Sequence, residues 1–152
     1  MKHTYNKTTD IFKAGKYVIG DLCYLIDDDE WGNFLDEVEY GDTREITIDD
    51  NPSVKCFYDS TSYGDGGFLA EGMGASILQN NLIDYKLPVD AGIIGIVSAE
   101  ILDNYGIELP DGLILVDFKT DFGVYCKNGD FNFGNVITVD TNPDTIESYS
   151  DF

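Results

Sequence analysis

Three aspartates sit beside glycines, in stretches where a ligand can approach the backbone closely. They are Asp21 in Gly20-Asp21-Leu22-Cys23-Tyr24, Asp65 in Tyr63-Gly64-Asp65-Gly66, and Asp90 in Val89-Asp90-Ala91-Gly92. Carboxylates brought together across one bond run general acid/base chemistry, as in glycoside hydrolysis, and the same groups can hold a small ligand such as a signalling molecule. Asp90 stands in an apolar run and is expected to be partly buried, which favours the protonated form of a carboxyl group lacking a partner. The competing expectation is that each side chain bonds to backbone amides in its own turn. Convergence of the three on a pocket supports the first reading, and separation supports the second.

Other catalytic classes are closed by what the chain lacks. His3 is the only histidine, so no Ser-His-Asp triad, Cys-His pair or histidine-rich zinc site can be assembled. Gly72-Met73-Gly74 is too short for a dinucleotide fingerprint, and no phosphate-binding GxxxxGK[ST] loop occurs. The run Asp27-Asp28-Asp29-Glu30 invites a calcium reading, but Trp31 and Val38 occupy positions 5 and 12 of the would-be EF-hand loop. No metal or cofactor is expected. Cys23, Cys56 and Cys126 are odd in number and far apart, which argues against a disulfide framework and for three structural thiols.

Charge is the dominant feature. Twenty-nine Asp and Glu face nine Lys and Arg, a net charge of −20, whereas small domains usually stay within about 2 to 8 charges of neutral. Before position 20, Lys2, Lys7, Lys13 and Lys16 stand against Asp10 alone, so this segment carries +3 and the rest −23. Such a body repels nucleic acid and anionic lipid, and attracts basic surfaces. The acid is densest between Asp27 and Asp50, where Asp27, Asp28, Asp29, Glu30, Asp36, Glu37, Glu39, Asp42, Glu45, Asp49 and Asp50 share the stretch with only Arg44. A line of carboxylates at that density can stand in for successive phosphates in the lysine- and arginine-lined groove of a nucleic-acid-binding protein.

The elements that position these groups follow from periodicity. Tyr17-Val18-Ile19 between glycines reads as a strand, and Trp31, Phe34, Leu35 and Val38 have helical spacing after an aspartate cap. Glu45–Asp49 and Val54–Tyr58 alternate as two strands of a hairpin, while residues 71–81 fit no single pattern. Ile93-Ile94-Gly95-Ile96-Val97 is β-branched and apolar throughout, as a central buried strand requires, and Ser98 is placed to cap a short helix after it. Asn128-Gly129 marks a hairpin with a type I′ turn. About seven short strands and two short helices, without βαβ alternation, predict a mainly β (α+β) fold: an antiparallel sandwich or barrel with peripheral helices. A mobile basic arm is expected over 1–14, one domain over 15–140 and an acidic tail over 141–152. No apolar run reaches the length of a signal peptide or membrane span, which points to the cytoplasm.

The motifs Gly20-Asp21-Leu22-Cys23-Tyr24, Tyr63-Gly64-Asp65-Gly66 and Val89-Asp90-Ala91-Gly92 together resemble a loose group of small bacterial and bacteriophage proteins. These typically carry proline where Leu22 stands. The resemblance implies a bacterial or phage origin and brings no activity with it. With the charge, it leads to the expectation of a phage-encoded, non-enzymatic inhibitor that mimics nucleic acid, in an anti-CRISPR or anti-restriction role. A small-ligand site at Asp21, Asp65 and Asp90, and an immunity protein against a basic toxin, are the alternatives.

Overall fold

Alternating apolar positions build two antiparallel sheets in the computed structural model, which describes residues 5–7, 11–26, 31–32, 42–46, 54–62, 64, 66–72, 77–82, 86–127 and 129–141. The larger sheet runs in the order β1 (Tyr5–Lys7), β4 (Asp42–Ile46), β5 (Val54–Ser60), β9 (Ile93–Ser98), β3 (Gly15–Gly20), β10 (Ile114–Phe118) and β7 (Ile77–Asn80). The smaller runs β2 (Ile11–Phe12), β11 (Phe122–Lys127), β12 (Asp130–Phe133), β13 (Ile137–Asp140), β6 (Gly66–Gly72) and β8 (Lys86–Val89). One α-helix, α1 (Glu100–Tyr105), is described over its whole length. It is too short to cross a membrane, and no described helix is long and apolar enough to do so.

This is the mainly β, sandwich-like architecture that the sequence predicts, with more strands than the seven counted. The additions include β1, β2 and β7, which are two to four residues long and carry too few alternations to register as period-two segments. Two of them fall within 1–14: β1 pairs with β4, and β2 pairs with β11 and buries Phe12 completely. The expected arm therefore contributes strands to both sheets. Of the helix expected around residues 30–38, only Trp31 and Gly32 are described, and both are helical.

Two cores form because the larger sheet is covered on both faces. Between the sheets lie Tyr17, Ile19, Ile94 and Ile96 from one side, and Phe68 and Phe133 from the other. The opposite face of the larger sheet presents Val18, Cys56 and Val97 to a cap made by a 3₁₀ turn over Leu22–Tyr24, Ile101 of α1, and Leu109. Strand β9 sits fourth of seven and buries Ile93 and Val97 on one face, Ile94 and Ile96 on the other. Its unbroken apolar run follows from double coverage, where no position can face water. Gly95 interrupts the run because a Cβ there would lie 2.5 Å from the Phe57 carbonyl oxygen and 2.8 Å from Leu22 Cδ1.

The turns follow local chemistry. Lys127 pairs with Asp130 around Asn128-Gly129, and Gly129 takes φ +83°, as the second residue of a type I′ turn must. Ala99 is the N-cap of helix α1, while Ser98 Oγ accepts from Glu100 N at 3.3 Å; Gly106 is its C-cap, whose φ of +65° closes the helix with bonds to the Asp103 and Leu102 carbonyls. The hairpin expected around 50–53 pairs β4 with β5 from Ile46 opposite Val54, and its connection, 47–53, lies outside the described residues.

Candidate functional site

Asp21 is the one buried acidic residue among the described residues outside β4, with no exposed surface. It caps the 3₁₀ turn, its Oδ1 accepting from Cys23 N at 3.0 Å. Its Oδ2 accepts from the N–H groups of Asp90 and Ala91, each at 2.7 Å. A buried carboxylate with three charge-assisted bonds to backbone amides is a structural clamp, holding the turn after β3 against the turn between β8 and β9. Both oxygens are committed, which removes Asp21 from the set able to meet a ligand.

Asp90 is exposed, contrary to the partial burial expected of it, because β8 ends at Val89 and Asp90 begins the turn into β9. Its Oδ2 accepts from Tyr24 Oη at 2.6 Å. Burial, and then the bond to Asp90, push the Tyr24 hydroxyl well above the ordinary tyrosine range. Its proton therefore stays on oxygen at neutral pH, so Tyr24 offers no phenolate as base or nucleophile.

Asp65 lies outside the described residues, but its neighbours join this loop cluster. Gly66 pairs with Val89, Thr61 N donates to the Gly92 carbonyl at 3.0 Å, and Gly64 N donates to Thr61 Oγ1 at 2.7 Å. The three glycine-bearing motifs thus meet at one end of the sandwich. The bonds at that meeting point are turn-to-turn ties, and the reading that each aspartate serves its turn is met at Asp21.

Of the eleven acids between Asp27 and Asp50, Asp42 and Glu45 lie on β4, and the other nine lie outside the described residues. Of the cysteines, Cys56 is buried, Cys23 and Cys126 are half-buried, and none forms a disulfide. Burial and the nearby Asp59 carboxylate push the Cys126 thiol up to about 11, which suits a structural thiol.

Lys13 and Lys55 tie strands together. Lys13 lies 3.6 Å from Asp121, and the Lys55 ammonium donates to the Ile11 carbonyl while sitting 4.5 Å from the Phe12 ring centroid. Lys13, Lys16 and Lys55 share one concavity with Glu100 and Asp103, so this basic corner is met by acid on the spot.

A second set of residues was not singled out by the sequence. On the outer face of the smaller sheet, Leu69, Glu71, Tyr125, Asp130, Asn132 and Asp140 line a concavity of about 410 Å³. Leu69 is 50% and Tyr125 54% exposed, although both side chains are large and apolar. Asn132 Nδ2 donates to Tyr125 Oη at 3.2 Å and to Asn135 Oδ1 at 2.9 Å, while its Oδ1 accepts from Asn135 N at 2.7 Å. Asn135 is held at φ +58°, a left-handed conformation that a short amide side chain tolerates. The signal for this face was the alternation in the Gly123–Gly134 hairpin, whose outward residues include Tyr125, Asp130 and Asn132.

No family model, no curated protein and no solved structure matches the chain.

Proposed function

We propose that the protein is a non-enzymatic acidic binding protein that engages the basic surface of a nucleic-acid-binding partner and blocks it by standing in for nucleic acid. A phage-encoded inhibitor of a bacterial defence system, of the anti-CRISPR or anti-restriction kind, is the form this takes. The observation that carries the reading is the disposition of charge: with a net charge of −20, only Asp21 among the described acids outside β4 is spent inside the fold. The described carboxylates outside β4, Asp21 apart, stand at or near the surface, where they act on a partner's field. Asp21 and Asp90, the described members of the ligand-site alternative, are tied to the backbone and to Tyr24.

The test is capture of partners from bacterial lysate at low salt, followed by a nucleic-acid-binding assay on what is captured. The reading expects a basic protein whose hold on nucleic acid is lost as this protein is added. It also expects the lysine substitutions Asp36→Lys, Glu37→Lys and Glu39→Lys, made together, to weaken the inhibition. Recovery of no basic partner, or inhibition unchanged by those three substitutions, would overturn it.

A further inference from the structure

We propose that β7 is a self-association edge, at which two copies of this chain join antiparallel, β7 against β7, so that the larger sheet continues from one copy into the other. This goes beyond the acidic-binding reading and does not depend on it. Strand β7 closes one side of the larger sheet, and β10 is its only strand partner among the described residues. Just past its end, Asn81 turns both backbone groups inward, its N–H donating to the Leu113 carbonyl and its carbonyl accepting from the Gly112 N–H. Alternation along an antiparallel ladder then turns those of Asn80 outward, where a further strand can meet them.

Sheet edges are ordinarily blunted by brevity, charge or proline. Of the other three described edges, β2 is two residues long, β8 carries Lys86 and Pro88, and β1 carries Lys7. Strand β7 has neither charge nor proline, and it lies in the longest uncharged stretch of the chain, the twelve residues 72–83. It keeps one guard, the register shift opposite Leu115 and Val116, which leaves Leu78 without a counterpart on β10. Leu78 is 49% exposed, so the irregularity presents an apolar side chain to a neighbour.

The chemistry of this edge selects the occupant. A basic partner gains nothing from an edge without carboxylates, and a negatively charged strand is repelled by the acidic body. What suits β7 is an uncharged strand, and β7 is itself one. Gln79 and Asn80 are exposed, and an amide carries donor and acceptor together, so the same side chains on two copies satisfy each other across a two-fold axis. Two chains of −20 otherwise repel, and near this edge the repulsion has a local source. Asn81 Nδ2 donates to the Leu109 and Pro110 carbonyls at 2.8 and 3.3 Å, which brings the loop bearing the exposed Glu108 and Asp111 alongside. Salt that screens these carboxylates favours pairing. The sign is opposite to that of binding to a basic partner, which salt weakens.

The experiment is sedimentation equilibrium of the full chain from micromolar to millimolar concentration, at low and at high salt. The weight-average mass is expected to rise with concentration from that of one chain toward that of two, and to rise further with salt. Amide exchange of the peptide covering β7, read by mass spectrometry, is expected to slow over the same concentrations. Leu78→Glu and Gln79→Glu each place a like charge on the edge of both copies, and are expected to weaken association by about tenfold or more. Thr120→Glu puts the same charge on an exposed turn after β10, and leaves association unchanged. All three positions are exposed, and thermal unfolding checks that each variant keeps its fold. A chain that stays monomeric throughout, a dimer that tolerates both edge substitutions or loses as much to Thr120→Glu, or association without added protection of β7 overturns the proposal. Lysate capture of a basic partner is untouched by any of these results, so failure here and failure of the acidic-binding reading are distinguishable.

Discussion

The Asp21 carboxylate accepts the backbone N–H of Asp90 at 2.7 Å across 69 residues of sequence. With the bonds from Cys23 and Ala91, it is the clamp that closes one end of the sandwich. Asp21→Ala strands three donors in a buried place, and is expected to cost about 3 kcal/mol or more of folding stability. Asp21→Asn, which keeps one acceptor oxygen, should cost about half as much. Urea unfolding monitored by Trp31 fluorescence measures both, and an alanine variant as stable as wild type would remove the clamp from the account.

Two glycines on different faces test the packing. A Cβ at Gly95 meets backbone at 2.5 Å, so Gly95→Ala should destabilise by about 2 kcal/mol or more. Gly123→Ala meets nothing, and should change stability by less than about 0.5 kcal/mol. The contrast in denaturation midpoints checks the central position of β9.

Alkaline pH should weaken the fold. Cys126 is raised from an ordinary 9.0 to about 11, so the folded state disfavours its thiolate relative to the unfolded chain. That stability is fully present below about pH 9 and is lost as pH rises from there through about 11. Tyr24 and Tyr17, both raised by burial first, add losses that begin near the ordinary tyrosine value of 10.0. Unfolding midpoints across pH 8 to 11 should fall, and Cys126→Ala should flatten the early part of the decline. In the native state at pH 8, alkylation of Cys126 should run at least about tenfold slower than in urea, read by peptide mass mapping.

Much of the fold was legible because its signals are local. The β-branched run Ile93–Val97 declared a central strand, and Asn128-Gly129 declared a hairpin, each within a few residues. What escaped depends on distant partners. Nothing near Asp21 distinguishes a solvated turn aspartate from a buried clamp, since two of its three amide donors come from the turn at 90–91. Asp90 was expected to be partly buried for the company of Val89, but strand ends decide exposure and β8 stops at Val89. The concavity on the smaller sheet escaped for a related reason. Glu71, Tyr125, Asp130 and Asp140 belong to four strands, and only the register places them on one face.

Thr141, directly after β13, offers a second check beside the same loop cluster. It is buried, its hydroxyl donates to the Gly129 carbonyl at 2.7 Å, and it accepts from Ser62 N at 3.0 Å. Thr141→Val keeps the shape and removes both bonds, with an expected cost of about 1 to 3 kcal/mol by urea unfolding. Thr141→Ser should retain most of that stability.

The central claim is that surface acid takes the place of nucleic acid on a basic partner. The most direct measurement is competition: the partner captured from bacterial lysate is bound to labelled duplex, this protein is titrated in, and the affinity is followed across salt concentration. The account predicts that protein and duplex displace one another mutually, with affinity falling steeply as salt rises. A ternary complex in which the partner holds both at once, or an affinity indifferent to salt, would contradict it.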